Sequence, residues 1–131
     1  MTKKRRCLAA HGPAVARPTG PAGRTAAEAA LLKAMAHPAR MRILRELAYA
    51  ERCVGDLTAA TGGSISSVSR HLAQLHAVGI VRTRKRGTHV FYAWSTPCVG
   101  KILECVRHML RRTVRTVAHG GTQRNDKERV R

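Results

Sequence analysis

The sequence predicts a mainly α-helical domain closed by one β-hairpin, in the order helix, helix, helix, helix, strand, strand, helix. Three observations carry this reading. Apolar residues recur at three-to-four spacing through most of residues 26–117, the helical period. That period is interrupted once, between Ile80 and Trp94, by a pattern rich in β-branched and aromatic residues. Pro, Gly and hydroxyl residues stand where helices would start and stop.

Ala26 to Ala36 is rich in Ala and Leu with no breaker, and predicts a first helix ending before His37-Pro38. Pro38 suits the first turn of the next helix, because its fixed φ is helical and its missing N–H is not needed there. Met41, Leu44, Leu47 and Ala48 give that helix an apolar side as far as about Tyr49. Val54, Leu57 and Ala60 mark a short third helix stopped by Thr61-Gly62-Gly63. Ser64 is an N-cap for a fourth, whose stripe is Val68, Leu72 and Leu75 and whose end is Gly79. Ile80 to Arg84 then reads as a strand, Lys85 to Thr88 as a turn and His89 to Trp94 as the returning strand. Thr96-Pro97 restarts helix, and Val99, Ile102, Val106, Met109, Thr113 and Val117 continue its stripe, widened by Leu103 and Leu110. No internal repeat is visible.

Charge sets the class of partner. The 131 residues hold 25 Lys and Arg against 7 Asp and Glu, a formal net charge of +18. No stretch approaches the roughly 20 apolar residues of a membrane-spanning helix, so an integral membrane protein is not expected. Residues 1–24, rich in Pro, Gly and Ala and free of acids, carry +6 and read as a flexible basic arm. The short apolar run behind Lys3–Arg6 is broken by His11, Gly12 and Pro13, which argues against a secretion signal and for a cytoplasmic protein. Residues 25–117 are expected to form the folded domain, and residues 118–131 a disordered basic tail. Such an excess of positive charge selects a polyanion, nucleic acid ahead of an anionic membrane surface. With seven acids and no Ser-His-Asp order or Gly-rich phosphate loop, an enzyme is not expected, nor is a required cofactor.

Two short helices joined by a Gly turn and followed by a basic hairpin describe a winged helix-turn-helix, with element order α-α-α-α-β-β-α. The fourth helix would then present Ser66, Ser67, Ser69, Arg70 and His71 to the major groove of double-stranded DNA. Small hydroxyl residues let a helix backbone approach base edges, and an Arg can fork to guanine or phosphate. Arg84, Lys85 and Arg86 at the hairpin tip form a cationic finger for the minor groove or the phosphates, flanked by Arg82 and His89. Each group alone reads equally well as a solvated surface; their order on a +18 chain favours DNA.

The residues that build this pattern also resemble the ArsR/SmtB family of bacterial repressors, over about residues 26–112. The likeness is carried by Ala34-Met35-Ala36-His37-Pro38-Ala39-Arg40-Met41-Arg42-Ile43-Leu44, by Cys53-Val54-Gly55-Asp56-Leu57 and by Ser64 to Leu75 with its Val68-Ser69-Arg70-His71-Leu72 core. Gly79-Ile80-Val81, Arg86-Gly87 and Val90-Phe91-Tyr92 complete it. The resemblance implies a homodimer, built mainly from the first and last helices, that binds a palindromic operator and leaves it when an inducer arrives.

The cysteines are candidates for sensing that inducer. Cys7, Cys53, Cys98 and Cys105 lack the paired short spacings of a structural zinc site, and a reducing cytosol disfavours disulfides. Cys53 and Cys98 fall at helix starts, where the helix dipole favours a thiolate. Cys105 lies seven residues beyond Cys98, about 10.5 Å along the helix, with Lys101 between them. As small hydrophobes at the stripe's edge, both also read as ordinary packing residues. The resemblance implies several sites. The family's thiolate site on the third helix keeps only Cys53 here, since Gly55 replaces its second cysteine, and Cys7 of the arm is a further partner in some members. The family's last-helix zinc site is not expected, because the matching positions read Thr96, Cys98, Met109 and Arg112. Cysteines seven apart resemble the arsenite-type sites. A thiophilic ion such as As(III), bound by Cys98, Cys105 and Cys53, is the leading inducer, and a thiol-redox or persulfide signal the second. A basic module that binds nucleic acid without sequence preference is the reading from outside the repressor class.

Overall fold

A computed structural model describes residues 19–119, with side chains to residue 114, so most of the arm and the tail lie outside the described residues. Helix α1 spans Gly20–Met35, α2 Pro38–Glu46, α3 Val54–Thr61, α4 Ile65–Ala77 and α5 Cys98–His119. Strands β1 (Arg52–Cys53), β2 (Val81–Arg86) and β3 (His89–Trp94) form one antiparallel sheet in the order β1-β3-β2. The predicted order of helices and hairpin is therefore observed.

Punctuation works as the local chemistry requires. His37 caps α2, its Nδ1 accepting from the Ala39 N–H at 3.1 Å, with Pro38 in the first turn. Gly62 ends α3 in the left-handed region (φ +75°), a conformation strained for any residue with a Cβ. Ser64 caps α4, its Oγ accepting from the Ser67 N–H at 3.2 Å. Thr96 does the same for α5, accepting from the Cys98 N–H at 3.3 Å.

Several boundaries differ from expectation. Helix α1 begins at Gly20 rather than Ala26, with Pro21 in its first turn, so residues 20–24 are helical and not part of an arm. Helix α5 runs through residues 118 and 119, beyond the expected end of the folded domain. The hairpin turn is shorter than the four residues foreseen: Arg86 pairs with His89, leaving Gly87 (φ +61°) and Thr88 as a two-residue loop. Lys85 and Arg86 are strand residues. Strand β1 was not foreseen at all, because two residues, Arg52 opposite Tyr92 and Cys53 opposite Phe91, are too short to show a period.

The described residues fall into two units, one up to Val99 and one from Gly100 onward. The core of the first holds Met35, Ile43, Leu44, Leu47, Leu57, Val68, Leu72, Leu75, Ile80 and Val81. Helix α2 buries Ile43 with Leu44 and Leu47, a slightly different phase from the predicted side, leaving Met41 half-buried and Ala48 exposed. Trp94 fastens β3 to α2, its Nε1 donating to the Leu44 carbonyl at 2.9 Å. That carbonyl lies in the last turn of α2, where no helical N–H follows to take it. In the second unit α5 exposes Val106, Met109, Leu110 and Val114, spaced three and four apart, on a continuous apolar stripe.

Candidate nucleic-acid interface

Helix α4 is anchored by one face and presents the other. Val68, Leu72 and Leu75 are buried, while Ser66, Ser69 and Arg70 are exposed on turns that begin at the Ser64 cap. Ser66 and Arg70 stand four apart in one column, with exposed Ala73 beyond them. Ser67 is half-buried, and its N–H is the one taken by the cap. The turn into α4 is close: a Cβ on Gly63 would come 3.2 Å from Val68 Cγ2. Small groups around one guanidinium suit a helix that must approach base edges.

His71 departs from the predicted set. Its side chain is half-buried toward α2, where its ring centre lies 4.6 Å from that of His37. It therefore helps seat α4 on α2 instead of standing in the exposed column. The spacing carried the signal, since His71 is three residues from Val68 and four from Leu75, on the flank of the buried stripe. Beside it Arg40 donates to the Gln74 side chain, a second tie between α2 and α4.

Burial, first, and then the nearby charges of His37 and Arg40 push His71 below the ordinary histidine value of 6.5; Gln74 opposes this, and Arg70 adds to it. The sign for stability follows. Above pH 6.5 the group is neutral whether folded or unfolded and contributes no pH dependence. As pH falls below 6.5 the unfolded chain takes up the proton first, so stability is lost until the folded pKa is also passed. Chemical unfolding at a series of pH values should show this loss, and His71→Gln should reduce it.

The wing is more structured than a bare cationic finger. Glu51, just before β1, accepts from Arg82 Nη2 at 3.4 Å and from Arg86 Nη2 at 3.3 Å. Arg82 Nε also donates to the Trp94 carbonyl, and the Arg86 guanidinium lies 5.4 Å from the centre of the Phe91 ring. Arg84 and Lys85 are exposed, and the side chain of neither makes an ion pair or hydrogen bond among the described residues. Glu51 is the functional residue that sequence reasoning missed. A single acid ahead of a two-residue strand gives no local sign that it will meet bases on the hairpin. Each such part-exposed pair is worth about 0.2–1 kcal/mol, so either could be exchanged for a phosphate. Glu51→Gln should release both arginines and steepen the salt dependence of DNA affinity. Two new phosphate contacts would add about 1.8 to the slope of log K against log salt, read by anisotropy titrations. An unchanged slope would mean that Glu51 does not decide whether the arginines reach phosphates.

The cysteines are dispersed. Cys53 is half-buried at the N-cap of α3, while Cys98 and Cys105 are exposed on α5. Cys7 lies outside the described residues. Among the described residues no group of three or more His, Cys, Asp and Glu is placed to hold a metal ion. Nor is any described helix long and apolar enough to cross a membrane.

Comparison with known proteins agrees with this architecture. Residues 37–83 match the family model described as bacterial regulatory protein, arsR family. An uncharacterised HTH-type transcriptional regulator of Mycobacterium tuberculosis, Rv0081, is 35% identical over 88 residues, 66% of this chain and 77% of its own. Its crystal structure superposes with a TM-score of 0.67 at 32% identity, covering 76% of this chain and 99% of that one. The transcriptional activator HlyU of Vibrio cholerae is 40% identical over 79 residues, 60% of this chain and 73% of its own. The homodimeric winged helix-turn-helix domain Mb0332 of Mycobacterium bovis, a possible ArsR-family regulator, has a TM-score of 0.66 at 29% identity. It covers 71% of this chain and 86% of that one.

Proposed function

The chain belongs to the ArsR family of bacterial regulatory proteins, winged helix-turn-helix regulators that bind DNA, and from that premise we propose an inducible repressor. It binds a palindromic operator as a homodimer and is released by a thiol-reactive inducer. The observation that carries the DNA reading is the exposed column of Ser66 and Arg70, with Ser69 beside it, on a buried-face helix followed by a basic wing. Arg84 and Lys85 contact phosphates or the minor groove first, and Arg86 joins them when it leaves Glu51. The exposed apolar stripe of α5 supports the homodimer, since a two-fold axis lets one helix face cover its own copy. Bound across a promoter, such a dimer excludes polymerase, and a reporter fused to the operator reads whether the sign is repression or, as HlyU is named, activation.

Exposure of Cys98 and Cys105 supports the sensor reading, because an inducer must reach the thiols. Soft As(III) is the inducer that thiolates favour, with Cys53 as an additional ligand, and oxidation or persulfidation is the second chemistry the same thiols support. Operator release on adding As(III), zinc or persulfide, repeated with Cys98→Ser and Cys105→Ser, tests this. If both variants respond like the parent, the sensor is not on α5. Equal affinity for operator and random DNA at two salt concentrations would instead favour a non-specific basic module.

A further inference from the structure

We propose that Ile65, the first residue of α4, determines base preference by packing on the C5-methyl group of a thymine in the major groove. The inference rests on the reading of α4 as the base-contacting helix. Ile65 is 66% exposed, although it opens a helix whose other large apolar residues, Val68, Leu72 and Leu75, are at most 3% exposed. A lone exposed hydrophobe is ordinary on a protein surface and by itself decides nothing. Its neighbours decide it. Ile65 sits between the Ser64 cap and exposed Ser66, and exposed Ser69 follows four residues later on the same flank. The cap holds the first turn, so the branched side chain projects from a fixed backbone.

The side chain has no donor or acceptor, so it gains nothing from the polar edges that fill most of the major groove. The thymine methyl is the one apolar feature there, and it distinguishes T·A from the other three pairs. Ser66, Ser69 and Arg70 supply polar contacts on the adjacent columns, and they cannot make this distinction by apolar contact. Ile65 therefore adds one position of thymine preference to each half-site, beside whatever Arg70 reads.

The test begins by selecting the operator of the full chain from random DNA. Each thymine is then replaced in turn by deoxyuridine, which removes only the methyl. Burial of one methyl is worth about 0.8 kcal/mol, so a single such substitution should weaken binding by about fourfold, and one in each half-site by about fifteenfold. Ile65→Ala should bind thymine and deoxyuridine alike at that position, with Ile65→Val retaining the preference. Because the side chain is exposed, both variants should unfold at the parent temperature. In a repeated selection Ile65→Gln should move that position away from thymine and toward adenine. A parent that selects an operator but shows the same deoxyuridine ratios as Ile65→Ala overturns the proposal and leaves the DNA-binding reading intact. A parent with no sequence preference overturns both.

Discussion

Leu110→Glu is expected to leave the protein monomeric and to remove most of its affinity for a two-half-site operator. Leu110 is 58% exposed in the single chain and lies between Met109 (66%) and Val114 (68%) on the stripe of α5. Two copies of that stripe facing each other would bring each Leu110 into an apolar interface, where a carboxylate is left desolvated without a partner. Truncating a buried interface anchor costs at least about 2 kcal/mol, and a buried unpaired charge costs more. A monomer then holds one half-site and loses the gain from binding both at once, commonly a hundredfold or more. Analytical ultracentrifugation should show the mass falling from twice the 14.3 kDa chain to one chain. Half-site affinity should remain, because α4 and the wing belong to the other unit of the chain. A Leu110→Glu protein that stays dimeric would place the interface elsewhere.

Leu72→Ala is expected to be strongly destabilising although it lies in the candidate base-reading helix. Leu72 is fully buried between Val68 and Leu75. Removing its side chain loses the transfer free energy and leaves a cavity, together about 2–5 kcal/mol. A domain of this size has only about 5–15 kcal/mol in all, so Tm should fall by about 10 °C or more. Ser69→Ala, at an exposed position of the same helix, should leave Tm unchanged while weakening operator binding. Thermal unfolding and operator titration of the two variants separate what holds α4 in place from what it presents. Equal losses of Tm in both would mean that Ser69 is part of the core.

Much of this arrangement is legible without coordinates, and the parts that are legible are local. Pro38, Gly62, Ser64 and Thr96 mark helix ends because each acts on backbone groups within a few residues of itself. The apolar positions of α4 follow from a period of 3.6, and the exposed Ser66, Ser69 and Arg70 follow by subtraction. What is not legible is of another kind. Residue type puts His71 with the polar groups of α4, while its position on the flank of the stripe leaves it half-buried. The ring of His37, which it meets only when α2 and α4 pack, lies beside it. The hairpin was foreseen, but not that Arg86 belongs to its strand, since only the register with His89 reveals that.

From residues alone come the helix–hairpin order, the winged helix-turn-helix class and the concentration of positive charge, because caps, periods and charge counts are properties of neighbouring residues. Tertiary structure alone decides which bases of the wing are already occupied. Glu51 meets Arg82 and Arg86 across 31 and 35 residues of sequence, and short β1 joins β3 as a third strand. Such pairings depend on which surfaces meet when the chain closes, and no period or cap records that. The charge that the sequence counts as free is therefore partly spoken for by one carboxylate.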